Sequence, residues 1–125
     1  MVTKSTAALN AACNAVVDLV DQGSTYSTGF LNIYSSDSTV MVHMPLSNPA
    51  FAPASDGTAL ANTITSAVCL ADGTASYFRF VDRDGTYVYG GSVTGNSGSG
   101  DMKLTSVSIP SGAVIFLSSA IYVVP

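Results

Sequence analysis

Thr74 to Val93, reading TASYFRFVDRDGTYVYGGSV, constrains the fold more than any other stretch of the chain. Two runs rich in aromatic and β-branched residues flank Asp82-Arg83-Asp84-Gly85, the pattern of two antiparallel strands joined by a tight turn. Side chains alternate with period two along a strand, so Phe78 and Phe80 share one face of the first run while Tyr77 and Arg79 share the other. A chain that carries this hairpin is committed to a sheet, and its other segments must supply the neighbouring strands.

Those segments are readable in order. Residues 5–21 form the one convincing helix, amphipathic, with Leu9, Ala12, Cys13, Val16 and Val20 on one side and Asn10, Asn14, Asp18 and Asp21 on the other. Thr3 or Ser5 is placed to cap its start and Gly23 to end it. Its apolar side is expected to pack across the sheet or to dock on a neighbouring subunit, with Leu9 and Val16 as the contact residues. Gly29–Tyr34 and Thr39–Leu46 read as a strand pair, with Pro45 at the end of the second because proline cannot donate to a ladder. In the loop 47–58, Phe51 is either a plug over one end of the core or a partner contact. The alternation of LANTITSAVCL predicts a strand over 59–70. The glycine-rich stretch 94–101, with Asn96 near its middle, is expected to be mobile and to order on contact. Met102 and Leu104 are out of phase with Val107 and Ile109, which predicts a bulge near Thr105-Ser106 or a strand whose two ends pack differently. The final run, Ala113–Val124, is apolar on both alternate sets and is expected to be a strand that is central in the sheet or covered by the helix or by another subunit.

About seven short strands with one helix in front predict a mainly β fold. Its form is a single antiparallel β-sandwich over residues 29–124, jelly-roll or immunoglobulin-like, with one N-terminal amphipathic helix, all in a single domain of residues 1–125. Tyr77, Tyr87 and Tyr89, with Arg79 beside them, are expected to form a cross-strand row that stabilises the sheet or offers a contact face to a subunit or a glycan.

The composition narrows the chemistry. Charged residues make up 10% of the chain, against roughly a quarter in ordinary domains, and the net charge is −4. The four cations, Lys4, Arg79, Arg83 and Lys103, are scattered, so no basic patch exists to neutralise a phosphate backbone and nucleic acid is not an expected partner. No stretch has the roughly 18 consecutive apolar residues of a membrane span. The opening run is read as a helix rather than an export signal, and synthesis in a cytoplasm without export is expected. Cys13 and Cys69 are expected to be two buried thiols. Asp82-Arg83-Asp84-Gly85 begins like a calcium loop, but a chain without glutamate lacks the bidentate ligand at the loop's end. His43 is the only histidine, the sequence has no GxSxG and no GxxxxGK[ST], and Asp72, Asp82 and Asp84 sit where turns use them while Asp18 and Asp21 lie on the polar side of the helix. No catalytic residue, cofactor or metal site is expected.

The chain resembles a widespread family of small bacteriophage proteins encoded among the virion structural genes. The resemblance is carried by AVVDLVDQG at the end of the helix, by LSNPAFAPASDGTALANTITSA, and by the hairpin leading through the glycine-rich loop to DMKLTSVSIPSGAVIFLSSAIYVVP, and it covers nearly the full length. Val40 to Met44 and Val68 to Leu70 are more hydrophobic than the family pattern. The resemblance implies a non-enzymatic virion component, made in a bacterial host cytoplasm, that decorates or cements the head exterior. Its partners would be the major capsid protein and sister copies, for instance as a trimer on a capsid threefold axis. A tail, neck or host-attachment component and a carbohydrate-binding β-sandwich are the alternative expectations.

Overall fold

The computed structural model describes residues 2–117 and 119–125; Met1 and Ser118, the latter within the apolar C-terminal run, lie outside the described residues. One helix, α1 (Thr6–Leu19), precedes β1 (Phe30–Ser35), β2 (Val40–Pro45), β3 (Thr58–Leu60), β4 (Ala67–Val68), β5 (Gly73–Val81), β6 (Tyr87–Gly95), β7 (Met102–Leu104), β8 (Ser108–Ile109), β9 (Val114–Ile115) and β10 (Ile121–Val123). The fold is mainly β, built on a curled, open sheet of order β2-β1-β5-β6-β7 that forms a half-barrel, with β8 paired to the start of β5. Two small ladders, β3 with β10 and β4 with β9, lie off this sheet.

Helix α1 begins at Ser5, whose hydroxyl accepts the Ala8 N–H at 3.1 Å and satisfies a donor that the first turn leaves without a partner. It buries Cys13, Val17 and Val20, while Leu9 and Val16 are half-buried, so the packed side is centred slightly away from the predicted one. The polar side binds the loop 47–58. Asn10 Oδ1 accepts Gly57 N–H, Asn14 Oδ1 accepts Ala54 N–H and Asp21 Oδ1 accepts Ala50 N–H, each at 2.9 Å. Spacings of four and seven residues put these acceptors on one side of the helix, where they satisfy backbone donors of a loop that has no ladder of its own.

The central hairpin forms as expected, with Phe78 and Phe80 facing the core and Arg79 opposite Asn32 on one side and Gly90 on the other. Its tip is fastened to the end of α1. Asp84 Oδ1 accepts the Ser24 and Thr25 N–H groups at 2.9 Å, and Arg83 Nε donates to the Tyr26 carbonyl at 2.6 Å. Asp82 accepts from Asp84 and Thr86 within its own turn, the ordinary use of a turn aspartate.

Four expectations are corrected. The main sheet is not wholly antiparallel, because β7 runs parallel to β6, with Val93 opposite Met102 and Gly95 opposite Leu104. A parallel return normally needs a dozen or more residues; here the glycine-rich segment doubles back along β6 as far as Ser92 and reverses at Asp101. Asp101 Oδ2 accepts from Ser92 N–H at 3.1 Å, and Thr94 Oγ1 accepts from Gly100 N–H at 3.0 Å. A Cβ on Gly98 or Gly100 would lie 2.6 or 2.8 Å from the Thr94 side chain, so these two glycines allow the loop's close approach to β6.

The expected strand over 59–70 is two short pieces, β3 and β4. Between them Asn62 N–H donates to the Ala50 carbonyl and Thr65 N–H to the Pro45 carbonyl, so the middle residues bond to a loop and to the end of β2 instead of to one ladder. The C-terminal run is covered on one face only. Ile115, Leu117, Ala120, Tyr122 and Val124 pack against the core, and Val114, Phe116, Ile121 and Val123 are exposed. Finally, the tyrosine row is divided between the two faces of the sheet, because a register shift between Phe80 and Val81 puts Tyr87 opposite Val81 and Tyr89 opposite Phe80. Cys13 and Cys69 are buried free thiols. No helix among the described residues is long and apolar enough to cross a membrane.

Candidate functional site

Two surfaces stand out, and they lie on opposite sides of the molecule. The inner face of the main sheet carries Phe80, on which Tyr89 stacks with centroids 4.6 Å apart, and Tyr89 in turn meets Tyr122 of the C-terminal arm at 4.8 Å. The arm therefore lies against the inner face. Its uncovered side chains point away from the sheet, and Arg79 with its neighbours occupies the sheet's other face.

The first surface is the outer side of the arm and its partner strands. Register places Ile121 beside Leu60 and Val114 beside Val68, so exposed apolar residues stand side by side across both small ladders. Phe116 is 74% exposed, Ile121 54% and Leu60 53%. Ordinary soluble surfaces scatter such residues singly; here they are paired and share one side of one segment. Beside the arm, where the half-barrel is open, a groove of about 600 Å³ runs between β7 and the arm. Phe78, Phe80, Met102 and Leu104 line its floor, and Asn96, Asp101 and Lys103 are among its polar lining residues.

The second surface is the outer face of the main sheet. Tyr34 and Tyr77, opposite one another in the β1–β5 register, stack with centroids 4.8 Å apart and planes within 9°. The Arg79 guanidinium carbon lies 5.8 Å from the Tyr34 centroid, 5.5 Å from Tyr77 and 4.7 Å from Tyr87. Being nearly equidistant from two rings that are themselves stacked, it bridges the side of that stack and rests most closely on Tyr87. Next to it the buried Asn32 accepts from His43 Nδ1–H through Oδ1 at 2.5 Å and donates through Nδ2 to the Tyr34 hydroxyl at 3.2 Å. His43 also stacks on Phe30 at 3.9 Å. Burial pulls the His43 pKa below its ordinary value, which leaves the ring neutral at pH 7 and Arg79 the cation of this face.

The residues singled out in the sequence fall unevenly on these surfaces. Tyr77, Arg79 and Tyr87 meet on the outer sheet face, and Asn96 lies at the groove. Phe51 is in the core, 5.5 Å from the Phe80 ring, and is not available as a contact. Tyr89 is on the inner face, where burial pushes its phenol pKa well up. Leu9 and Val16 are half-buried on α1, Leu9 beside Gly57. The sequence reading missed Tyr34, Asn32 and the outer set of the arm. Tyr34 was in phase with Phe30 and Asn32, but its meeting with Tyr77 depends on the register between β1 and β5, which no local signal carries.

Among the described residues no group of three or more His, Cys, Asp or Glu side chains gathers to hold a metal. The chain matches no protein-family model, no curated protein and no solved structure.

Proposed function

We propose that this protein is a non-enzymatic structural component that covers its apolar arm by assembly, as a decoration or cement protein on the exterior of a bacteriophage head. The observation that carries the assembly part is the outer side of the arm, where Leu60 pairs with Ile121 and Val68 with Val114 in the open. Each large aliphatic side chain moved from water into an interface is worth about 1.5–3 kcal/mol, so a lone monomer forgoes a gain that a partner recovers. The head location and the major capsid protein as partner rest on the resemblance to small virion proteins. On a symmetric shell many copies add weak contacts into a strong reinforcement, and a low surface charge limits repulsion between them.

Closure belongs to the same proposal. A neighbouring chain laid along the open side of the half-barrel, between β7 and the arm, completes the sheet into the sandwich expected from the sequence. The test is co-sedimentation with purified capsid shells, comparing the wild type with a Leu60→Asp/Ile121→Asp variant. Saturable binding of the wild type with loss in the folded variant is the expected result. Failure of the wild type to bind shells, or equal binding by the variant, would refute the reading.

A further inference from the structure

The outer face of the main sheet differs in kind from the arm. Its exposed groups around Arg79 are tyrosine rings, hydroxyls and amides, and a guanidinium that touches three rings. We propose that this face is a binding site for an acidic saccharide, with Arg79 pairing to the carboxylate of a uronic acid unit and Tyr87, Tyr77 and Tyr34 forming the aromatic floor around it.

The geometry supports each part. The Arg79 guanidinium carbon lies 4.7 Å from the Tyr87 centroid, where the ring quadrupole holds it, and among the described residues its side chain donates no hydrogen bond, which leaves an N–H edge free for a ligand. A planar carboxylate takes that edge through two parallel hydrogen bonds. Gly90, opposite Arg79 in the ladder, has no side chain, so the floor beside the guanidinium stays low enough for a ring to approach. A Cβ at this position would lie 2.2 Å from the Phe78 carbonyl oxygen and 3.2 Å from Arg79 Cγ, so the backbone itself excludes any other residue. The hydroxyls of Tyr34 and Tyr77 receive and give bonds at their tips, to Asn32 and Ser38, and Tyr87 is 53% exposed. Tyr34 and Tyr77 turn one face each to the other, so they offer a sugar their ring edges and hydroxyl tips, and the exposed side of Tyr87 is the apolar surface for the C–H side of a pyranose.

Arg79 is the cation of this face and calls for an anionic partner, while the nearby carboxylates of Asp101, on Ser92, and Asp37, on Ser35 and Thr39, are engaged by their own neighbours. The size fixes the class. One cation among three rings matches one or two sugar units, whereas a stable protein partner covers about 800 Å² and anchors on an apolar core, which the arm provides and this face does not. The inference does not depend on the head-decoration reading. It needs only that the arm and the sheet face lie on opposite sides, so that docking by one leaves the other free.

The test is titration of the full-length protein with tetragalacturonic acid, followed by calorimetry and by NMR of the tyrosine ring resonances. Neutral tetragalactose and a tetra-aspartate peptide serve as comparisons. Saturable binding of the uronate with shifts at Tyr34, Tyr77 and Tyr87 is expected. Arg79→Lys keeps the charge but loses the planar fork and should weaken binding about tenfold, the loss of one of the two parallel hydrogen bonds. The thermal midpoint of that variant reports whether it remains folded, and Tyr87→Ala offers a second route at an exposed position. Absence of uronate binding overturns the proposal, as does equal affinity for the neutral sugar, tighter binding of the peptide, or binding that Arg79→Lys and Tyr87→Ala both leave unchanged.

Discussion

At the scale of single residues, the account rests on side chains whose partners are backbone groups. Asp84 shows the effect of pH. Its carboxylate accepts from Ser24 and Thr25, which holds its pKa below the usual aspartate value. A lowered folded pKa means that the unfolded chain takes up the proton first as pH falls. The stability that Asp84 contributes is therefore full above the unfolded value near pH 4 and disappears as pH drops through the lower folded value. Asp84→Asn should be less stable than the wild type at pH 7 and converge with it in strong acid, as urea unfolding at a series of pH values would report. Gly90 gives a steric counterpart. Gly90→Ala drives a methyl into the Phe78 carbonyl and should cost about 1–3 kcal/mol, the range for overpacking a well-packed site, readable as a lower denaturation midpoint with an unchanged slope.

At the scale of elements, α1 is a brace for a loop as much as a core helix. Asn14→Ala removes the acceptor of the Ala54 N–H, and a backbone donor left without its partner should cost about 1–3 kcal/mol. Amide exchange should speed up in residues 50–57 while the β1–β5–β6 ladders keep their protection. The same elements show what the sequence could reveal. The hairpin, the β1–β2 pair and the helix were legible because periodicity, turn residues and a cap all act locally. The phase break before Val107 was legible, but not as a bulge in one strand: Met102 and Leu104 are buried in β7, paired to β6, and Ile109 in β8, paired to β5. The parallel return of β7 was not, since glycines that permit a close approach to Thr94 look identical in sequence to glycines that loosen a loop. Nor was the one-sided exposure of the arm, because two apolar alternate sets describe a strand whose second cover is absent from the monomer as readily as one that is fully buried.

At the scale of the whole molecule, the layers divide the labour. The main sheet packs its inner face on the arm and on a core to which the helix, lying against β3 and β10, adds Cys13 and Val17, and the two outward faces differ in chemistry: apolar and uncharged along the arm, aromatic and cationic on the sheet. Of the surface residues expected from the sequence, Tyr77, Arg79 and Tyr87 converge because alternation on β5 was readable, while the pairing with Tyr34 awaited the strand order. Leu60→Asp/Ile121→Asp sets two carboxylates opposite one another in the β3–β10 ladder and should lower stability by no more than about 1 kcal/mol, leaving the monomer folded. The same variant should abolish any concentration-dependent rise in sedimentation coefficient shown by the wild type.

The most direct test of the central claim is cryo-electron microscopy of virions that contain this protein, at a resolution that places its strands. The account predicts many copies on the head exterior, with Leu60, Val114, Phe116 and Ile121 buried against capsid protein or sister copies and Arg79 facing outward. Density confined to the neck or tail, or a head-bound copy with the arm in solvent and the Arg79 face buried, would contradict it.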